Sequence, residues 1–237
     1  MRKSHLWHVT MCLTVLLAVG PFSPVGAQNN GSQQGGVGKF GDLTAQWWQW
    51  VTAQPAVDVG GTNTNPSIDS TGAYASVGQE NGIGPGNNFF FLAGAFGGVV
   101  TRTVTVPQGK ALFFPVINTE KDNANDPPTH YKVPELRAQA TAGMDLVTST
   151  DAKLNGVRLE IFRRQTPVFD YTVPDQDGIY EYFGLIGPQF RGRIKPAVGD
   201  GYWVYIAPLP PGGYTLEFAA ADSSGFSLHV KYLLTIE

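Results

Sequence analysis

The last third of the chain alternates apolar and polar residues as β-strands do. The clearest case is residues 226–236, where every second residue from Phe226 to Ile236 is apolar. Successive side chains of a strand point to opposite faces, so this pattern predicts a strand with one buried and one exposed face. Apolar or alternating segments of this kind predict strands at residues 89–95, 99–106, 111–118, 157–163, 168–173, 178–185, 201–207, 213–219 and 226–236.

Gly- and Pro-rich turns separate these segments. The Pro107-Gln108-Gly109 turn predicts that residues 99–106 and 111–118 form a hairpin. Residues 58–88 are rich in Gly, Asn, Ser and Thr and predict a long loop, which in a compact domain is often functional or disordered. Short strands at this spacing predict a mainly β fold, an antiparallel β-sandwich of the jelly-roll type.

Two segments have helical periodicity instead. The first covers about residues 43–54, with Asp42 as its N-cap and Pro55 at its end. The second covers about residues 134–148 and begins at Pro134, a residue suited to the first helical position. The predicted buried stripes are Leu43, Trp47, Trp50 and Val51 in the first helix, and Leu136, Ala140, Met144 and Val147 in the second.

The N-terminal 27 residues have the pattern of a signal peptide. Arg2 and Lys3 precede an apolar stretch of about 11 residues, and small residues occupy the positions before a cleavage site after Ala27. The stretch is too short for a membrane span, which needs about 20 residues. We therefore expect a secreted or periplasmic protein with no membrane span after cleavage. Its expected parts are a signal peptide (1–27), a flexible leader (28–41) and a single domain (42–237).

Charge and cysteine content exclude several classes of function. Loss of the signal peptide leaves 14 of the 16 basic side chains against 19 acidic ones, without a basic run. Such a chain is poorly suited to bind nucleic acid. Cys12, the single cysteine, lies within the signal peptide, so the mature chain is expected to have no disulfide and no thiolate chemistry. Two histidines, His130 and His229, remain, too few for a zinc site built from His and Cys.

Several sequence blocks resemble those of a family of secreted bacterial proteins. The blocks are Trp47-Trp48-Gln49-Trp50, Ser76-Val77-Gly78-Gln79, Phe90-Phe91-Leu92-Ala93-Gly94, residues 105–118 (TVPQGKALFFPVIN) and residues 208–218 (PLPPGGYTLEF). They cover most of the mature chain. The resemblance implies an exported, single-domain bacterial protein and carries no catalytic, cofactor or binding residue to this chain.

A candidate ligand surface follows from strand parity in the C-terminal segments. If these strands are neighbours in one sheet, an aromatic pair and three charged or hydrogen-bonding side chains share its outer face. Such groups suit a sugar, whose C–H face packs on aromatic rings while its hydroxyls bind polar groups. The alternative is that a helix covers the aromatic pair. The residues are Trp203, Tyr205, Glu217, His229 and Lys231, with Trp48 as an exposed aromatic residue of the first helix.

Oxygen-bearing side chains concentrate in the loop after the third predicted strand. Carboxylates and amides of this kind are calcium ligands, although the spacing is not that of an EF-hand. The alternative is a solvated turn in which these side chains bind local backbone groups. The candidate calcium ligands are Glu120, Asp122, Asn123, Asn125 and Asp126; no other cofactor is expected.

Three hypotheses of function remain open. The first is a secreted, non-catalytic β-sandwich that binds a carbohydrate or another extracellular surface. The second is a carbohydrate-active enzyme, and the third is a structural or assembly component of the cell envelope. A polysaccharide lyase would use His130, Tyr131 or His229 as its base and one of Arg158, Arg163, Arg164, Arg191 and Arg193 as its cation, whereas a glycoside hydrolase would draw on Glu160, Glu181 and Glu217.

Overall fold

The computed structural model describes residues 37–125 and 127–237. The predicted signal peptide, most of the predicted leader and Asp126 lie outside these residues. The helices are α1 (Val37–Ala53), α2 (Val133–Asp145) and α3 (Ile179–Tyr182). The strands are β1 (Phe89–Phe91), β2 (Gly98–Val106), β3 (Ala111–Lys121), β4 (Val147–Leu154), β5 (Val157–Arg158), β6 (Phe162–Gln165), β7 (Phe169–Val173), β8 (Gly192–Ile206), β9 (Gly212–Asp222) and β10 (Ser227–Ile236).

The strands form two packed sheets. Sheet 1 has the order β1-β3-β8-β6. Strand β7 also pairs with β8, next to the part of β8 that pairs with β6. Sheet 2 has the order β2-β10-β9-β4-β5. The predicted mainly β sandwich with added helices is therefore confirmed. Both sheets are mixed rather than antiparallel, because β1 runs parallel to β3 and β2 runs parallel to β10.

The predicted hairpin of β2 and β3 is wrong. The turn at residues 107–109 instead carries the chain from sheet 2 to sheet 1. Burial explains the separation, since β2 ends in alternating exposed and buried residues whereas residues 111–117 of β3 are all buried. A strand that is apolar on both faces belongs in the middle of a layered structure, and β3 lies between sheet 2 and helix α1.

The main core lies between the two sheets. Alternating residues of β9 and β10 point inward, as the sequence predicts, and meet residues of β3 and β8. Phe114 of β3 packs on Phe218 of β9 with ring centroids 5.0 Å apart. Tyr232 of β10 also packs on Phe218, with ring centroids 6.3 Å apart. These contacts hold the two sheets together.

Helix α1 covers the outer face of sheet 1. Its predicted stripe is buried as expected, and Trp47 and Trp50 contact aromatic residues of β1, β3 and β8. The helix begins at Val37, so residues 37–41 belong to it and not to the predicted leader. No helix in the described part of the chain is long and apolar enough to cross a membrane.

Three further segments differ from the sequence predictions. Helix α2 buries Leu136, Ala140 and Met144 but ends at Asp145. Val147, predicted as the last buried residue of this helix, is instead the first residue of strand β4. The strand predicted at 157–163 is divided into β5 and the start of β6. The strand predicted at 178–185 is the short helix α3 and a turn, because backbone bonds such as Tyr182 N to Gly178 O close it locally.

Buried polar side chains hold the long loop 54–88 in one conformation. The Asn65 amide donates to the carbonyls of Val51 (2.7 Å) and Gln54 (3.1 Å). The Gln79 side chain exchanges two hydrogen bonds with the Phe91 backbone. The loop predicted to be functional or disordered is thus part of the packed structure.

Candidate functional site

The predicted ligand surface is divided between the two sheets. Trp203 and Tyr205 lie on β8 in sheet 1, whereas Glu217, His229 and Lys231 lie on β9 and β10 in sheet 2. The last three share the outer face of sheet 2, where Lys231 Nζ lies 3.3 Å from Glu217 Oε1. The single surface predicted for all five is therefore wrong: strand parity gives the face of a residue but not the sheet of its strand.

Trp203 is covered by α1 and has no exposed surface. Its ring stacks on Phe113 at 5.2 Å and meets the edge of Trp47 at 5.8 Å. Tyr205 stays partly exposed, and Trp48 of α1 is half-buried with its Nε1 lacking a hydrogen-bond partner among the described residues. The alternative interpretation, that a helix covers the aromatic pair, is thus correct for Trp203.

The predicted calcium ligands take two different roles. Asn123 and Asn125 organise their own loop, since Asn123 Oδ1 accepts from Tyr131 N at 2.8 Å and from Thr129 Oγ1 at 3.0 Å. Asn125 donates to the same threonine hydroxyl. Asp122 does both: its Oδ1 accepts from Ala124 N of the same loop at 2.6 Å, whereas its Oδ2 is bound by tyrosine hydroxyls. Glu120 points into the interior beside β7. Asp126 lies outside the described residues.

Glu120 and Asp122 meet two tyrosines in a cluster that we call the carboxylate–tyrosine cluster. Tyr171 of β7 donates its hydroxyl to Asp122 Oδ2 and lies 3.5 Å from Glu120 Oε2. Tyr180 of α3 also reaches Asp122 Oδ2, at 3.2 Å, and its hydroxyl contacts that of Tyr171. The cluster thus ties the end of β3 to β7 and α3.

Burial dominates the electrostatics of this cluster. Removal from water raises the pKa of Glu120 well above its usual range, and the adjacent Asp122 charge raises it further. Burial, and then the Glu120 charge, likewise raise the pKa of Tyr171 and Tyr180, which keep their hydroxyl protons. The Lys121 charge lowers the pKa of Glu120 but does not cancel these effects. Glu120 therefore keeps its proton to a higher pH than an exposed glutamate does.

This protonation predicts an unusual pH dependence of stability. Above the unfolded pKa of 4.5, the folded protein holds a proton on Glu120 that the unfolded chain has released. In metal-free buffer, the free energy of unfolding should therefore fall as the pH rises towards the folded pKa, by up to about 1.4 kcal/mol per pH unit. Glu120→Gln cannot ionise and should be more stable than the wild type at pH 8, as urea titrations at several pH values would measure. Glu217→Gln, at a partly exposed site, is the control; parallel profiles for wild type and Glu120→Gln would contradict the prediction.

An open groove lies between α1 and the β7–β8 pair. Four helix residues at positions i, i+3, i+4 and i+7 form one wall. Residues 167–170, which lead into β7, and Lys195-Pro196 of β8 form the other. Its volume is about 710 Å³, which lies within the range of about 300–1,000 Å³ typical of ligand sites. The lining residues are Asp42, Ala45, Gln46, Gln49, Pro167, Val168, Phe169, Asp170, Lys195 and Pro196.

The groove is lined by both apolar and polar side chains. Ala45 and Phe169 belong to a small buried cluster that also contains Tyr171, so the groove lies next to the carboxylate–tyrosine cluster. Gln49 Nε2 donates to Asp170 O at 2.8 Å and joins the walls at one point. The Asp170 carboxylate is engaged by Arg193. The polar helix positions are visible in the sequence beside the tryptophan stripe, but nothing there indicates that β7 lies opposite them.

The residues considered for catalysis lie on separate elements. His130 is exposed in the loop before α2, and His229 is exposed on the outer face of sheet 2. Glu181 of α3 accepts from Asp177 N, whereas Glu217 pairs with Lys231. The described structure thus offers no hydrogen-bonded pair between these histidines and the candidate glutamates.

Arg163 has a structural role among the candidate cations. It lies 2.8 Å from Asp200 and 2.6 Å from Asp145, joining β6, β8 and the end of α2. The hydrogen bonds from Arg163 to Asp200 raise the pKa of this guanidinium further above its already high value. Arg163 is therefore committed to holding α2 in place.

Comparison with known proteins gives the chain no family. No protein-family model matches it, and no curated protein matches its sequence. Among solved structures, the crystal structure of Listeria monocytogenes InlP is similar at 13% identity, with a TM-score of 0.22. The match covers 63% of this chain and 34% of that chain, so this chain spans about a third of InlP. What can be said of the function therefore depends on the fold and the groove.

Proposed function

We propose that this protein acts outside the cytoplasm and binds a saccharide, without catalysis, in the groove between α1 and β7. The observation that carries the proposal is the combination of exposed apolar side chains with polar side chains of mixed character in one groove. Its walls contain a carboxylate, two amides and an amine from Asp42, Gln46, Gln49 and Lys195. The predicted signal peptide supports an extracellular or periplasmic ligand.

The charges of the groove favour a neutral polyol over an ion. Asp42 and Lys195 bring opposite signs to the same groove, and Asp170 and Arg193 neutralise each other at its edge. A sugar hydroxyl both donates and accepts, so it matches carboxylates, amides and amines together. The C–H faces of the sugar would pack on Pro167 and Val168, the exposed apolar side chains of the groove.

The same charges argue against hydrolysis in this groove. A glycoside hydrolase needs two carboxyl groups on either side of the scissile bond, one acid and one base or nucleophile. The Asp170 carboxylate accepts a hydrogen bond from Arg193, and its backbone carbonyl accepts one from Gln49, so Asp170 is already engaged by the protein. Asp42 is then the carboxylate that faces a ligand, which suits binding and not bond cleavage.

Retention on immobilised polysaccharides tests this proposal, followed by calorimetric titration with oligosaccharides of any polymer that retains the protein. The double variant Asp42→Asn with Gln46→Ala should weaken binding at least 10-fold, because hydrogen bonds to a charged group are worth about 1.5–3 kcal/mol and neutral ones about 0.5–1.5 kcal/mol. The matched control is Asp175→Asn with Gln139→Ala, outside the groove, which should bind like the wild type.

Two results would overturn the proposal. One is the absence of retention on every polysaccharide tested, and the other is unchanged affinity in the groove variant. The same incubations should release neither reducing ends nor unsaturated products. Product release that is lost in Asp42→Asn would instead favour the enzyme hypothesis.

A further inference from the structure

The groove between α1 and β7 is closed at one end. Gln49 Nε2 of α1 donates to Asp170 O of β7 at 2.8 Å, which brings the two walls into contact. Further along both walls, Ala56 N donates to Asp177 O at 2.6 Å, so the chain beyond α1 and the chain beyond β7 are joined again. Thr52, which lies between these two bonds in the sequence, is buried. Gln49 and Asp170 are accordingly the last lining residues in this direction.

The walls are not joined in this way at the opposite end of the groove. Asp42 of α1 and Pro167, ahead of β7, line that end. The helical rise places Asp42 about 10 Å from Gln49 along α1. Among the described residues, no hydrogen bond joins α1 to residues 166–169. An extended ligand can therefore leave the groove past Asp42 but not past Gln49.

A bulge in β8 brings a third element to the closed end. The register of β7 and β8 shifts between Phe169 and Tyr171, and the shift leaves Lys195 and Pro196 opposite Asp170. Extra residues of this kind bend a strand and re-aim its side chains. Lys195 is exposed and lines the groove. The closed end is therefore formed by three elements, α1, β7 and β8.

We propose that the groove receives the end of a saccharide chain, with the terminal sugar against Gln49 and Lys195, and not an internal segment. This inference rests on the proposed saccharide binding and names the part of the saccharide that is bound. A terminal sugar carries a free hydroxyl where an internal sugar carries the next glycosidic bond. Lys195 Nζ can donate to that hydroxyl, and Gln49 Oε1 can accept from it because the contact with Asp170 uses Nε2. An internal segment would need a passage where Gln49 and Asp170 are in contact.

Calorimetric stoichiometry with chains of different length tests this inference. The ligands are size-fractionated fragments of a polysaccharide that retains the protein, titrated into the whole mature protein. Binding of a chain end predicts a number of bound proteins per chain that is independent of fragment length, with a constant Kd per chain once the fragment fills the groove. Binding along the chain predicts that this number rises in proportion to fragment length.

Capped fragments and two glutamine variants test the contact with Gln49. Methyl groups on the linkage hydroxyls of both terminal sugars should weaken binding to the wild type about 10-fold, because they occupy the closed end and remove the hydroxyl proton. In Gln49→Ala the same caps should weaken binding less, since part of the terminal contact is already lost. The matched variant is Gln46→Ala, halfway along the same wall, in which the caps should keep their wild-type effect.

Two results would overturn this inference while the proposed function stands. One is a number of bound proteins per chain that rises with fragment length, and the other is equal affinity of the wild type for capped and uncapped fragments. If no polysaccharide retains the protein, the proposed function fails and this inference fails with it.

Discussion

Arg102→Met should lower the free energy of unfolding by about 3–5 kcal/mol, the range seen when one partner of a buried charged network is removed. The Arg102 side chain is almost completely buried. Its guanidinium donates to the carbonyls of Asp69 (2.6 Å), Ala93 (2.8 Å) and Gly94 (2.9 Å) and to the Tyr232 hydroxyl (2.7 Å). Methionine fills a similar volume but donates no hydrogen bond, so among the described residues only Ala93 O keeps a donor, the Tyr232 hydroxyl.

In Arg102→Met, the loss of local stability should be largest in the loop 54–88. Arg102 lies on β2 and bonds to Asp69 O and Ser67 O within that loop. Urea unfolding would measure the global effect, and limited proteolysis would show earlier cleavage in the loop. Arg158→Met, at a side chain that is 80% exposed, is the matched control and should change stability by less than about 0.5 kcal/mol. A loss below 1 kcal/mol for Arg102→Met would contradict the network described here.

Trp203→Ala should lower the free energy of unfolding by about 3–5 kcal/mol, the usual cost of replacing a buried Trp by Ala. Trp203 is fully buried between β8 and α1, stacked on Phe113 and in edge contact with Trp47. The cavity would lie beneath α1, so the helix should dock less firmly. The groove depends on that helix, and saccharide binding should weaken as well.

The comparison variants separate packing from exposure. Trp203→Phe keeps a ring against Phe113 and should cost clearly less than Trp203→Ala. Tyr205→Ala, two residues away at a side chain that is 39% exposed, should cost less still. Chemical denaturation and near-ultraviolet circular dichroism would measure both effects. Equal losses for Trp203→Ala and Tyr205→Ala would mean that α1 does not cover β8 as described.

Sequence patterns were most informative where a single element decides the outcome. The inward residues of β9 and β10 and the tryptophan stripe of α1 were predictable, because apolar side chains repeat with the period of the element that buries them. Strand β4 was missed because its sequence, VTSTDAKL, is mainly polar and lies between α2 and a turn. Segment 178–185 was predicted as a strand because its apolar residues suggest burial, yet three of them, Tyr182, Phe183 and Leu185, are exposed.

In the candidate sites, too, single residues could be predicted from the sequence but their spatial neighbours could not. Glu120 and Asp122 were noticeable as oxygen donors in one segment, but their partners Tyr171 and Tyr180 come from residues about 50 positions later. The groove combines a polar helix face with β7, more than 100 residues apart in the chain. Trp203 was noticeable as an aromatic residue, and only the position of α1 decided that it is core.

The sequence by itself determined the fold class and the buried faces of the long elements, and it predicts an exported protein free of cysteine in its mature form. These properties follow from composition and from periods of 2 and 3.6 residues, which are local. Tertiary structure alone decided which strands share a sheet, which aromatic residues are covered and which polar groups meet. Those outcomes depend on contacts between distant segments, where the face of a residue is fixed by parity but its neighbours are fixed by packing.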